Sequence, residues 1–158
     1  MNSCFLFGHA TCPGSILPKI CEAIENCYVN HGVTIFYVGN RGSFDSYAAK
    51  AVKQAKLRHK DIRLYLLLAY HPAERPVSLA EGFDGSYYPP LENVPRPYAI
   101  VQANRYMIQK AETIICYVAH PGNARNLLDF AQRQQKSGLL ITNVGGGCAD
   151  KQDERGSP

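Results

Sequence analysis

Val33-Thr34-Ile35-Phe36-Tyr37-Val38-Gly39-Asn40-Arg41-Gly42-Ser43-Phe44-Asp45 joins a β-branched and aromatic run to a glycine turn. Residues 33–38 have the length and composition of a buried strand. Beyond the turn, Tyr47, Ala48, Ala51, Val52 and Ala55 recur at helical spacing. A strand that passes through a glycine turn into a helix is the first half of a βαβ unit.

The same pattern recurs on either side. Residues 3–7 are apolar and end at Gly8-His9, and Ile16, Leu17, Ile20, Ile24 and Tyr28 form a helical stripe after a candidate cap at Ser15. Residues 62–68 read as a third buried strand, since six of the seven are apolar or aromatic. Helical character resumes over residues 98–111 through Ile100, Val101, Tyr106, Met107 and Ile108. Residues 113–118 are a fourth strand, His120-Pro121-Gly122 a turn, and Leu127, Leu128, Phe130 and Ala131 a fourth helix. A fifth, short strand covers residues 139–142. Alternation of this kind implies right-handed crossovers and a sheet covered on both faces. The predicted class is α/β: a Rossmann-like three-layer sandwich with a mostly parallel five-stranded sheet and helices on both faces.

Between the third strand and the third helix, residues 69–97 carry Pro72, Pro76, Pro89, Pro90, Pro95 and Pro97, so regular structure is not expected there. Loops this long are often lids or binding elements. Residues 1–144 read as a single domain. Residues 145–158, which open with Gly145-Gly146-Gly147 and continue polar to Pro158, read as a flexible tail.

With 158 residues, 46% hydrophobic and 19% charged, the chain has the composition of an ordinary globular domain. The net charge of +4 comes from scattered positives, a weak argument for an anionic ligand. No polybasic arm or aromatic-basic stretch is present, so nucleic-acid binding is not favoured. The N-terminus lacks the basic and apolar regions of a signal peptide, and no run approaches the roughly 18 apolar residues of a membrane span. A cytoplasmic, reducing compartment is therefore expected, with Cys4, Cys12, Cys21, Cys27, Cys116 and Cys148 as free thiols. Core packing is the expected role of Cys4, Cys21, Cys27 and Cys116. There is no C-x-x-C, and the histidines complete no zinc pattern, so neither a metal nor a cofactor is expected.

Ligands of open parallel sheets bind outside the carboxyl ends of the strands. That edge collects Gly8, His9 and Thr11 after the first strand, Gly39, Gly42, Ser43 and Asp45 after the second, and His120, Gly122 and Asn123 after the fourth. The second turn can offer backbone N–H groups to a phosphate, but Ser43 or Asp45 can equally be a helix cap. His9 and His120 can donate to an anion or bond the loops themselves. Arg105 has the fork for a phosphate or carboxylate, with a solvated helix arginine as the plain alternative. Asp129, one turn into the last helix, faces either the pocket or solvent.

Several of these stretches together resemble the SLOG superfamily. They are Gly8-His9, Tyr37-Val38-Gly39 with Phe44-Asp45, Tyr88-Pro89-Pro90 with Glu92-Asn93-Val94-Pro95, Asn104-Arg105-Tyr106-Met107, and Leu128-Asp129-Phe130-Ala131. The similarity is to small stand-alone bacterial and phage-type members and spans about residues 3–143. The superfamily joins the DNA-processing protein DprA to the Lonely Guy phosphoribohydrolases, which release a free base from a nucleoside 5′-monophosphate. The resemblance implies a nucleotide pocket. The hydrolases carry P-G-G-x-G-T-x-x-E, and in the matching stretch this chain keeps Pro121 and Gly122 but has Asn123, Arg125, Asn126 and Asp129 at the later motif positions. Those departures speak against hydrolysis. Ala10 and Ala103 also stand where the narrower family carries arginine, which speaks against a highly phosphorylated ligand.

The resulting expectation is a protein that senses or sequesters a nucleotide or a nucleotide-derived small molecule. Gly8 and His9 would meet one end of the ligand, and Gly39, Gly42, Ser43 and Asp45 its ribose or phosphate. Arg105 and the turn from Gly122 through Asn123 to Asn126 would hold a second anionic group, with Tyr87 or Tyr88 stacking on a base. One alternative is an N-glycosidic phosphoribohydrolase using Arg105 and Asp129. Another is a protein-interaction module docking through residues 69–97. A homo-dimer or higher homo-oligomer is implied by the Lonely Guy resemblance.

Overall fold

The computed structural model describes residues 2–91, 93–134 and 139–145. Six strands and four helices alternate along it: β1 (Ser3–Gly8), α1 (Leu17–His31), β2 (Ile35–Val38), α2 (Ser43–Arg58), β3 (Arg63–Leu67), β4 (Gly85–Tyr87), α3 (Ala99–Lys110), β5 (Thr113–Tyr117), α4 (Asn123–Gln134) and β6 (Leu140–Asn143). All strands pair in parallel, in the order β4-β3-β2-β1-β5-β6. The class is the α/β Rossmann-like sandwich that the alternation predicts.

Period-two alternation along β1 divides the interior. Cys4 and Leu6 face the layer formed by α1 and α2, where Ile20, Ile24, Phe36, Val52 and Leu64 are buried with them. Phe5 and Phe7 face α3 and α4, among Met107, Ile108, Ile114 and Leu128. The helices bury the stripes their spacing predicts: Ile20, Ala23, Ile24 and Cys27 on α1, and Ala99, Ala103, Met107 and Ile108 on α3. On α2 the buried stripe is mostly alanine (Ala48, Ala49, Ala51 and Ala55), so the helix lies close to its neighbours. Cys4, Cys12, Cys27 and Cys116 are buried free thiols, and Cys21 is partly buried. Cys148 lies outside the described residues.

The sheet has one strand more than the five expected. The additional strand, β4, lies within residues 69–97, where the prolines argue against regular structure. Asp84 sets it in place: its backbone N–H donates to Leu64 O at 2.8 Å. Its Oδ2 accepts from Leu64 N at 2.8 Å and from Lys56 Nζ at 2.6 Å. Leu68 N then donates to Tyr87 O at 2.8 Å. Three residues are too few to show alternation, and the partners that hold them lie about twenty residues back, so nothing local marks the strand. Residues 71–80 are all exposed. Of the tail, only Gly145 is described; its N–H donates to Asn143 Oδ1 at 3.0 Å. No described helix is long and apolar enough to cross a membrane.

Candidate functional site

The strand order turns at β1: β2, β3 and β4 extend the sheet to one side, β5 and β6 to the other. Loops leaving β1 and β5 therefore part above the sheet, which opens a crevice at the carboxyl edge. A cleft of about 430 Å³ occupies that place. Its walls come from the turns after β1, β2 and β5, with Ala103 and Asn104 of α3 and Ala124 and Leu127 of α4.

Close approach of backbones shapes the wall between the first two turns. The Ser43 N–H and Oγ–H both donate to Ala10 O, at 2.8 and 2.9 Å, and Ser43 Oγ accepts from Cys12 N at 3.0 Å. Ser43 thus clasps the β1–α1 loop to the start of α2 and does not line the cleft. Asp45 lines it, and its Oδ2 accepts from Arg41 N at 2.8 Å. Burial raises the Asp45 pKa, while the Arg41 backbone bond and positive charge pull it down. With this carboxylate across the second turn, the turn is a poor seat for a phosphate and a good acceptor for a hydroxyl.

His9 is buried, and its Nε2 accepts from Ala119 N at 2.9 Å and His120 N at 3.3 Å. Two backbone donors on one ring nitrogen fix the neutral tautomer with its proton on Nδ1. The ring stacks on His120, with centroids 3.7 Å apart and planes 4° from parallel. His120 Nδ1 lies 2.8 Å from Pro121 O, and His120 lines the cleft. Burial lowers the His9 pKa, with the positive charges of His120 and Arg125 adding to the effect. The neutral ring is the form that stabilises the fold. Its contribution is complete above the ordinary histidine pKa of about 6.5 and is lost as pH falls through the lower folded value. The urea midpoint is therefore expected to fall across that window in the wild type and to fall less in His9→Gln. Parallel curves would show that His9 does not brace the loop.

Gly122 precedes α4 with φ +144°, a conformation that L side chains rarely adopt, and its carbonyl accepts from Asn126 N at 3.0 Å. Gly122 and Ala124 line the cleft, so the electropositive end of the α4 dipole borders it. Asn123 lines the cleft; Asn126 is exposed and does not.

Of the residues singled out from the sequence, the cleft brings together Gly8, His9, Thr11, Gly39, Gly42, Asp45, His120, Gly122 and Asn123. It leaves out Arg105. That guanidinium carbon sits 4.8 Å from the Phe130 ring centroid, and its buried Nε has no hydrogen-bond partner among the described residues. One residue turns a helix by about 100°, so Asn104 reaches the cleft while Arg105 meets α4. Asp129 does not line the cleft and forms no ion pair among the described residues. The Tyr87 hydroxyl donates to that of Tyr106 at 3.3 Å, and burial pushes its pKa up to about 12. Tyr88 lies over His71, 5.3 Å between ring centroids, in a neighbouring groove of about 310 Å³ with Tyr70 and Arg96. The sequence reading missed Asn104, which was noted only as the neighbour of Arg105, and Arg41, whose position within the glycine turn was its one signal.

Fold and cleft together define a Rossmann-like domain with a crevice at its switch point. No protein-family model matches the sequence, and no curated protein is similar to it. Among solved structures the chain is similar to the molybdenum cofactor binding protein from the phototrophic bacterium Rippkaea orientalis, with a TM-score of 0.59 and 13% identity. The similarity covers 95% of this chain and 83% of that one. It shows the fold.

Proposed function

We propose that the protein binds a nucleotide or nucleotide-derived small molecule in the switch-point cleft and acts by sensing or sequestering it. The observation that carries this reading is the asymmetry of the cleft's two ends. The Asp45 carboxylate lies across one turn, suited to the hydroxyls of a ribose, and the N-terminus of α4 borders the other end, suited to an oxyanion. His9 Nδ1–H and Asn104 add polar groups between them, and Phe5, Leu67 and Ile100 provide apolar surface for a flat ring. The SLOG resemblance and the cofactor-binding neighbour support the same reading at the level of a small organic ligand.

The hydrolase alternative asks Arg105 and Asp129 to act on the ligand, and neither side chain lines the cleft. Binding without turnover is the simpler assignment for these walls.

Thermal unfolding against nucleoside monophosphates, NAD, ADP-ribose, cyclic nucleotides and the molybdenum cofactor, with free base quantified in the same wells, tests the proposal. A ligand at about 100 times its dissociation constant is expected to add about 2.7 kcal/mol, without release of base. Release of base that disappears in Asp129→Asn would establish the hydrolase instead. A flat response to every compound would overturn the small-molecule reading and favour a protein partner.

A further inference from the structure

Tyr70 follows β3 and lines the neighbouring groove, which shares Ala69 with the cleft. Three guanidinium groups gather on its ring. The central carbons of Arg75, Arg96 and Arg41 lie 4.2, 5.4 and 5.8 Å from the ring centroid. They come from three separate segments: the exposed stretch after β3, the turn before α3, and the β2–α2 turn. Like charges repel, and a neutral phenol offsets only part of that through its π face. One carboxylate enters the group, with Glu74 Oε1 2.7 Å from Arg96 Nη1. The Asp45 carboxylate takes the backbone N–H of Arg41. Among the described residues, Arg41 and Arg75 have no ion-pair partner. Among the described residues the cluster thus holds planar cationic forks, the donors best matched to a phosphate, in excess over the acids beside them.

We propose that Arg41, Arg75 and Arg96, gathered on Tyr70, form a subsite for a second phosphate group of the cleft ligand. The inference rests on the cleft being a nucleotide site, and it narrows the ligand class. The Tyr70 cluster lies at the β3 end of the sheet edge, and the start of α4 at the β5 end. Three strand spacings of about 4.8 Å put those strands about 14 Å apart, too far for one phosphate to serve both. The ligand class this favours carries two phosphates set apart by its sugar, as in a nucleoside 3′,5′-bisphosphate, and not a simple monophosphate.

The test compares wild type with the surface variant R75Q/R96Q by calorimetric titration. The probes are inorganic pyrophosphate, adenosine 5′-monophosphate, adenosine 3′,5′-bisphosphate, NAD and a single-stranded oligonucleotide, and unfolding midpoints confirm that both proteins are folded. Saturable pyrophosphate binding is expected, weakened at least tenfold in the variant. Affinity for the 3′,5′-bisphosphate should fall by a similar factor, while affinity for the monophosphate, and for NAD with its two phosphates adjacent, is unchanged. Equal pyrophosphate binding by the two proteins, or none by either, overturns the subsite. So does arginine-dependent binding of the oligonucleotide alone, which would assign the cluster to nucleic acid. Should no nucleotide bind wild type, the cleft reading fails separately, and the pyrophosphate comparison still decides whether the arginines hold an anion.

Discussion

Phe44→Ala is expected to lower the unfolding free energy by about 4 kcal/mol, within the range for truncating a buried phenylalanine. The ring is fully buried in the first turn of α2. It lies nearly parallel to Tyr117, 6.4 Å between centroids, and against the end of β1. There it joins the second strand's turn to the ends of the first and fifth strands, the three places from which the cleft is built. A methyl placed on Gly8 would come 2.6 Å from Phe44 Cγ and within 3.0 Å of both Cδ atoms. Gly8→Ala alone should therefore cost about 1–3 kcal/mol through overpacking. In the Phe44→Ala background that cost should largely vanish, because the obstructing ring is gone. Urea unfolding of both single variants and the double variant measures the coupling. Simple additivity would mean that Gly8 and Phe44 do not meet as described.

Gly42→Ala should cost about 3 kcal/mol, the upper part of the range for overpacking, because backbone stands in the way. The added Cβ would lie 2.5 Å from Ala10 Cα, 2.6 Å from its carbonyl oxygen and 2.9 Å from its carbonyl carbon. A flexible side chain would swing aside, but Ala10 is held by the two hydrogen bonds from Ser43. Relief of the clash must separate the β1–α1 loop from α2 and widen one wall of the cleft. Ligand affinity should fall along with stability, read by the same thermal assay with and without the stabilising compound. A Gly42→Ala protein with the wild-type midpoint would show that the two loops are not clasped.

The two cores were largely legible in the sequence. Leu6 and Phe5 alternate along one strand, and Ile20, Ile24 and Cys27 recur at helical intervals, so each declares its face through neighbours a few residues away. The carboxyl-edge turns were legible for the same reason, since Gly8-His9, Gly39 through Asp45 and Gly122-Asn123 each follow a recognisable strand. What those residues do was not. His9 reads as an anion contact or a loop bond, and the N–H groups of Ala119 and His120 on its Nε2 decide for the loop. Ser43 reads as a cap or ligand contact until its bonds to Ala10 and Cys12 are seen. Arg105 and Asn104 are adjacent in sequence, and only the phase of α3 against the sheet separates the one on Phe130 from the one in the cleft.

The sequence by itself determined the α/β class, the order of the main elements and which loops gather at the carboxyl edge of the sheet. Those properties follow from periodicities of two and 3.6 residues, which are written within single elements. Only the tertiary structure decided the pairing of β4 through Asp84, the neutral brace at His9 and the meeting of Arg41, Arg75 and Arg96 on Tyr70. Each of these joins groups far apart in the chain, and no local pattern records a contact that exists only once the sheet has closed.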